Sequence, residues 1–108
     1  MSDIDGIIKS IVDQSKALAE KLFKQYTRQA LRDVKDFLQK SEANLARWRW
    51  EVAQEEIDAV EFRSLVKGQI DVAEMCALKR AGLAQVQIDT FTNGVLDIVV
   101  GAALAAIP

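Results

Sequence analysis

The chain contains no histidine and only one cysteine, Cys76, among its 108 residues. Histidine is the commonest general base near neutral pH and the commonest metal ligand, so its absence removes the simplest routes to acid–base catalysis and to a transition-metal site. A lone cysteine excludes an internal disulfide, and we expect Cys76 to be a small buried apolar residue. The sequence also lacks a glycine-rich phosphate loop, a nucleophile elbow and a zinc-ligand spacing. We therefore predict no enzyme activity, no catalytic residues, no metal and no cofactor.

Proline and glycine are also scarce, and their scarcity predicts long helices. The single proline is Pro108, and no glycine lies between Gly6 and Gly68. Proline breaks helices and an interior glycine weakens them by about 1 kcal/mol, so a long stretch without either is typical of helix. No segment alternates apolar and polar residues over the length of a strand. The sequence therefore predicts one all-α domain over residues 1–108.

The charge balance is slightly acidic, with a formal net charge of −2 and a sequence pI near 5.1. A nucleic-acid binder usually has a basic face and a high pI, so this composition argues against that class of protein. The first residues are acidic and lack the basic and then apolar order of a signal peptide, and a single cysteine suits a reducing compartment. We expect a cytoplasmic protein.

Apolar residues from Leu31 onward recur in alternating steps of three and four, which is the spacing of a coiled-coil seam. This first row is apolar at nine of its eleven positions, all but Ser41 and Glu55, and comprises Leu31, Val34, Leu38, Ser41, Leu45, Trp48, Val52, Glu55, Ala59, Phe62 and Val66. A second row comprises Ala43, Ala46, Trp50, Ala53, Ile57, Val60 and Ser64. Because side chains two residues apart point about 200° away from each other, the helix is apolar on two faces. Such a helix needs at least two neighbours.

Lys67 and Gly68 form the strongest turn signal, because glycine readily adopts the left-handed conformation that ends a helix. We predict a long antiparallel helical hairpin of three segments: a helix over about 3–66, a turn over 67–70 and a helix over about 71–107. The glycine-free stretch would be about 90 Å long as one helix and the last helix about 55 Å, so an antiparallel hairpin leaves the N-terminal third uncovered. Either the chain bends near Ser41 and forms a three-helix bundle, or the long helix stays whole and a second copy covers it.

Charge is segregated along the predicted long helix. Basic residues dominate between Lys16 and Lys35, whereas every charged residue from Glu51 to Glu61 is acidic. A bend near Ser41 would bring these stretches together within one chain, and two unbroken helices placed antiparallel would bring them together between chains. Nothing near Ser41 forces a turn, so we predict a homo-oligomer, either a dimer or a tetramer. We expect its interface to include Trp48, Trp50, Ile57, Phe62, Phe91, Val95 and Ile98.

The predicted function is a non-enzymatic scaffold, assembly factor or adaptor that acts by contact with its own copies or with a protein partner. Membrane activity is a second class, because the ten residues from Ile98 to Ile107 carry no polar side chain. A membrane span needs about 20 such residues, so the tail suits shallow insertion better than a full crossing.

Nucleic-acid binding is a third class. Arginine beside tryptophan can bind single-stranded nucleic acid. The sequence contains such a run, Arg47-Trp48-Arg49-Trp50. Both tryptophans also fall on apolar rows, which favours a role in the core or in an interface. The predicted contacts to nucleic acid are Lys24, Arg28, Arg32, Arg47 and Arg49.

Overall fold

The computed structural model describes residues 3–105, and within this range the chain forms helices and no strands. The five helices in chain order are α1 (Asp3–Phe23), α2 (Thr27–Ala53), α3 (Ala59–Val72), α4 (Cys76–Arg80) and α5 (Gln85–Ala105). The all-α prediction is confirmed. The four longer helices pack compactly, with α1 against α2 and α5, and α3 against α5 and α2. At 1.5 Å per residue α2 is about 40 Å long, and the longest dimension of the molecule is 42 Å.

The predicted helix over 3–66 is interrupted first at residues 24–26. Lys24 adopts a left-handed conformation with φ of 47°, and α2 then begins at Thr27. Neither alternative for the long helix is observed: α2 runs through Ser41 without a bend, and the breaks lie elsewhere. The Ser41 side chain is buried and its hydroxyl donates a hydrogen bond of 3.1 Å to Oε1 of Gln69 in α3. A polar residue in the seam here joins two helices and does not end one.

A second interruption separates α2 from α3 at residues 54–58. Glu55 is left-handed, with φ of 61°. Asp58 then starts α3 with a capping box: its carboxylate accepts from the Glu61 N–H at 2.8 Å, and its own N–H donates to Oε1 of Glu61 at 3.3 Å. These bonds satisfy backbone donors that have no partner within the helix. Neither interruption contains glycine or proline, so the sequence pattern did not reveal it.

The predicted turn over 67–70 is wrong as well, because Gly68 lies inside α3. One exposed glycine weakens a helix by about 1 kcal/mol, which is less than the burial of Val66 and Ile70 on either side of it contributes. The chain turns instead at residues 73–75, where Met75 is left-handed, and at Gly82, where φ is 90°. The predicted helix over 71–107 is therefore the end of α3 followed by α4 and α5.

The core lies between α1, α2, α3 and α5, and aromatic rings cross it. The rings of Phe23 and Phe91 are 5.4 Å apart at their centroids, with planes inclined at 55°. Helix α5 continues through Gly94, where an added Cβ would lie 2.5 Å from Cδ2 of Leu18. Glycine therefore allows α1 to pack closely against α5. The largest side chains that are fully buried include Phe62, Phe91, Ile11, Leu78, Val34, Val66, Val95 and Val99.

Candidate interaction surface

Ionisable side chains in the described part of the chain form no group of three or more His, Cys, Asp and Glu that could hold a metal ion. The expectation that Cys76 is buried is wrong, because its side chain is exposed. The cause is the break at residues 73–75, which places Met75 in the core, where it is 4% exposed, and leaves Cys76 at the start of α4. The Cys76 Sγ lies 3.7 Å from Oε2 of Glu74.

The two apolar rows of α2 have different surroundings. Its inner face is buried against the other helices and comprises Ala30, Asp33, Val34, Phe37, Leu38, Ser41, Leu45 and Trp48. The second row lies on the opposite face, where Ala43, Trp50 and Ala53 are exposed and Ala46 is half-buried. We call these four residues the outer stripe. Its central side chain is Trp50, which is 55% exposed.

The structure separates the predicted interface residues into three groups. Trp48, Phe62, Phe91 and Val95 are buried in the core of the chain itself. The smaller side chains Ile57 and Ile98 are partly buried and pack against that core. Trp50 alone among the seven presents a largely exposed side chain. An apolar seam in a sequence does not say whether the same chain or another one covers it, and here the fold itself covers most of it.

A groove of about 860 Å³ lies between α2 and α4. Four cationic side chains line it: Arg28, Arg32 and Lys35 from α2, and Arg80 from α4. We call it the basic groove. Two of the predicted nucleic-acid contacts, Arg28 and Arg32, therefore line the groove. The other two cations, Lys35 and Arg80, were not among the predicted contacts. Arg80 is far away in sequence, and no sequence signal places α4 beside α2.

The other three predicted nucleic-acid contacts do not line the basic groove. Lys24 lies in the turn between α1 and α2. The guanidinium carbon of Arg47 lies 5.9 Å from the ring centroid of Trp48, at the distance of a cation–π contact. Arg49 is half-buried, further along α2. The five residues thus do not form one continuous patch.

The two carboxylates that line the basic groove are already engaged. Asp33 is 8% exposed, and its two oxygens accept the backbone N–H groups of Ala77 and Leu78, each at 2.9 Å. These bonds fasten the start of α4 to α2. Asp36 forms an ion pair of 3.1 Å with Lys40, one turn along the same helix. Among the described residues no ion pair involves the four cations of the groove, and with Asp33 and Asp36 counted its formal charge is +2, four cations less two carboxylates.

The opposite end of α2 is acidic. We call residues 51–61 the acidic segment, because its five charged residues are Glu51, Glu55, Glu56, Asp58 and Glu61. In the described part of the chain none of the five forms an ion pair with a basic side chain. Arg32 and Glu51 lie on the same unbroken helix, about 28 Å apart along its axis. The basic groove and the acidic segment therefore cannot neutralise each other within one chain.

By length and composition alone, α5 is the one helix among the described residues that is long and apolar enough to cross a membrane. A third of the relevant window is buried inside the protein. The exposed positions of α5 include Asp89, Asn93 and Asp97, and Oδ1 of Asp97 lies 2.7 Å from Nη2 of Arg63 in α3. Of the predicted apolar tail, residues 106–108 lie outside the described range.

Comparisons of the chain with protein-family models, with curated proteins and with solved structures give no match. Three surface features of this molecule bear on its function: the outer stripe, the basic groove and the acidic segment.

Proposed function

We propose that this protein is a non-enzymatic helical protein that self-associates, acting as a scaffold, assembly factor or adaptor, and that the outer stripe of α2 is its contact surface. The observation that carries the proposal is the exposure of Trp50, at 55% of its surface. Tryptophan is enriched among the residues that dominate binding energy in protein interfaces. Its large indole ring makes it an effective anchor in a partner's surface.

The neighbours of Trp50 support this role. Ala43, Ala46 and Ala53 surround it with small side chains, and the stripe that they form is about 15 Å long. Small residues allow a second helix to approach to the 8–10 Å separation of packed helices. Covering the exposed part of the indole would remove on the order of 100 Å² from water, a stabilisation of about 2.5 kcal/mol for each copy.

The test is the mass in solution, measured by light scattering on a sizing column over a range of concentrations. We expect the wild-type chain to elute as a dimer or larger species, whereas Trp50→Glu should give the monomer mass of 12.0 kDa. The matched control is Val86→Glu, because Val86 in α5 is 75% exposed and receives the same charge. Helical content should be equal in all three proteins. A wild-type monomer at every concentration, or a Trp50→Glu protein that still associates, would contradict the proposal.

Membrane insertion through α5 is the alternative with an observation of its own, since the length and composition of this helix permit a crossing. Insertion would remove Asp89 and Asp97 from water, at about 3 kcal/mol for each charge that reaches the bilayer centre. It would also break the contact between Asp97 and Arg63. Co-sedimentation of the full chain with liposomes distinguishes the two functions, and recovery of the protein only in detergent would favour the membrane.

A further inference from the structure

We infer that the basic groove receives the acidic segment of a second copy of this chain, so that two copies pair antiparallel along α2. This inference rests on the self-association proposed above and adds the orientation of the two copies and their charged contacts. Four cations line the groove. Its two carboxylates are engaged elsewhere, by backbone N–H groups and by Lys40, so the groove has room and charge for further carboxylates.

The acidic segment has the complementary chemistry. It carries five carboxylates and no basic residue, and arginine binds carboxylates well because its planar guanidinium can donate two parallel hydrogen bonds. Asp58 and Glu61 also hold each other through the capping box. The segment is therefore not a loose tail but an acidic surface fixed at one end of the molecule.

The groove and the outer stripe lie along one continuous face of α2. Steps of three and four residues lead from the groove to the stripe through Arg28, Arg32, Lys35, Gln39, Ala43, Ala46, Trp50 and Ala53. A second copy whose own α2 lies along this face covers the stripe and also extends over the groove. If it lies parallel, groove faces groove and acidic segment faces acidic segment. If it lies antiparallel, opposite charges meet at both ends.

The spacing along α2 fits the antiparallel arrangement. With a two-fold axis near Ala43, Lys35 lies about 12 Å from the axis on one side and Glu51 about 12 Å on the other. Lys35 of each copy is then level with Glu51 of the other. Arg32 is level with the residues just before Glu55. The contact is the same surface on both copies, so it closes as a dimer.

A nucleic acid is the other polyanion that the groove would attract. A strand laid along α2 would pass from the groove over the outer stripe towards the acidic segment, which repels phosphate. The net charge of −2 gives no compensating attraction at longer range. The arrangement of charges along α2 therefore favours a second copy as the occupant.

Two charge-reversal variants test the inference. Arg32→Glu/Lys35→Glu makes the groove acidic, and Glu51→Lys/Glu55→Lys makes the acidic segment basic. Each variant alone should dissociate at least about tenfold more readily than the wild-type chain, because both contacts of the antiparallel pair then oppose like charges. An equimolar mixture should recover a dimer with one chain of each kind, because both contacts again oppose unlike charges. Native mass spectrometry resolves the mixed dimer from either homodimer.

The matched control is Lys9→Glu/Lys79→Glu, which introduces the same change in net charge on exposed residues that do not line the groove. It should remain a dimer.

The outcomes separate this inference from the proposed function. A wild-type dimer that Trp50→Glu dissociates but charge reversal does not would overturn the groove contact and leave self-association intact. A wild-type monomer at every concentration would overturn both. A mixture that assembles into species larger than a dimer would replace the closed pair with a head-to-tail chain and overturn the antiparallel arrangement. Binding of a labelled oligo(dT) at low salt by a monomeric chain, with loss in Arg32→Glu/Lys35→Glu and retention in the control, would assign the groove to nucleic acid.

Discussion

Trp48 and Trp50 are two residues apart on the same helix, and their surroundings are opposite. Trp48 is 7% exposed and Trp50 is 55% exposed. Side chains two residues apart point about 200° away from each other, so α2 directs one indole into the core and the other towards solvent. Both residues follow a helical apolar rhythm. The comparison shows that such a rhythm predicts which side chains can be covered, but not which molecule covers them.

The polar residues of α2 differ between its two faces in the same way. On the inner face, Ser41 bonds to Gln69 in α3 and Asp33 bonds to the first amides of α4. On the outer face, Asp36 and Lys40 form an ion pair with each other within one turn of α2. The polar side chains of the inner face therefore fix the positions of other helices. Those of the outer face leave this surface of α2 open to solvent.

The two tryptophans should differ most in their contribution to folding. Trp48→Ala removes a large side chain from the core and should lower the free energy of unfolding by about 3–5 kcal/mol. Trp50→Ala should change it by less than about 0.5 kcal/mol, provided that the chain is dilute enough to be monomeric. Urea denaturation followed by circular dichroism measures both. Similar losses in the two variants would mean that Trp50 is part of the fold, and the outer stripe would then no longer be a free surface.

A smaller difference is expected between the two aspartates of α2. Asp33→Ala leaves the buried N–H groups of Ala77 and Leu78 without their acceptor and should lower the free energy of unfolding by about 2–4 kcal/mol. Asp36→Ala removes an exposed ion pair and should lower it by less than about 1 kcal/mol.

Amide hydrogen exchange gives a local measurement of the same contrast. In Asp33→Ala the amides of Ala77 and Leu78 should exchange faster, because α4 is no longer fastened to α2. Unchanged protection of these two amides, with α4 still in place, would show that other contacts hold this helix.

Much of the helical content and part of the core follow from local rules. The scarcity of glycine and proline predicts helix, and the three-and-four spacing predicted that Phe62, Phe91 and Val95 are covered. It assigned them to an interface between copies, whereas they are fully buried in the core of the chain itself. The spacing also separated Trp48 from Trp50 onto different faces. These features depend only on residues that are close in sequence, so a single sequence can reveal them.

The breaks between helices and the basic groove depend on contacts that are distant in sequence. Lys24 and Glu55 adopt left-handed conformations that cost an ordinary residue about 1–2 kcal/mol, and only packing of the whole chain offsets that cost. Arg80 lies near Arg32 because α4 packs beside α2, where Asp33 accepts the first amides of α4 and Leu78 is buried in the core. The start of α3 does have a local sign, the capping-box spacing of Asp58 and Glu61, whereas the left-handed residues and the groove have none.

The smallest effects on stability should come from two glycines whose backbone conformations predict opposite results of substitution by alanine. Gly68 is helical and has open space where a Cβ would lie, so Gly68→Ala should raise the free energy of unfolding by about 1 kcal/mol. Gly82 also has open space, but its φ of 90° is unfavourable for alanine, and Gly82→Ala should lower it by about 1 kcal/mol. In thermal unfolding the two midpoints should move in opposite directions, each by about 4 °C.

Because neither substitution creates a steric contact, backbone conformation alone accounts for the expected difference. A loss of stability in Gly68→Ala would restore the turn over residues 67–70 that the sequence predicted, and with it a shorter α3.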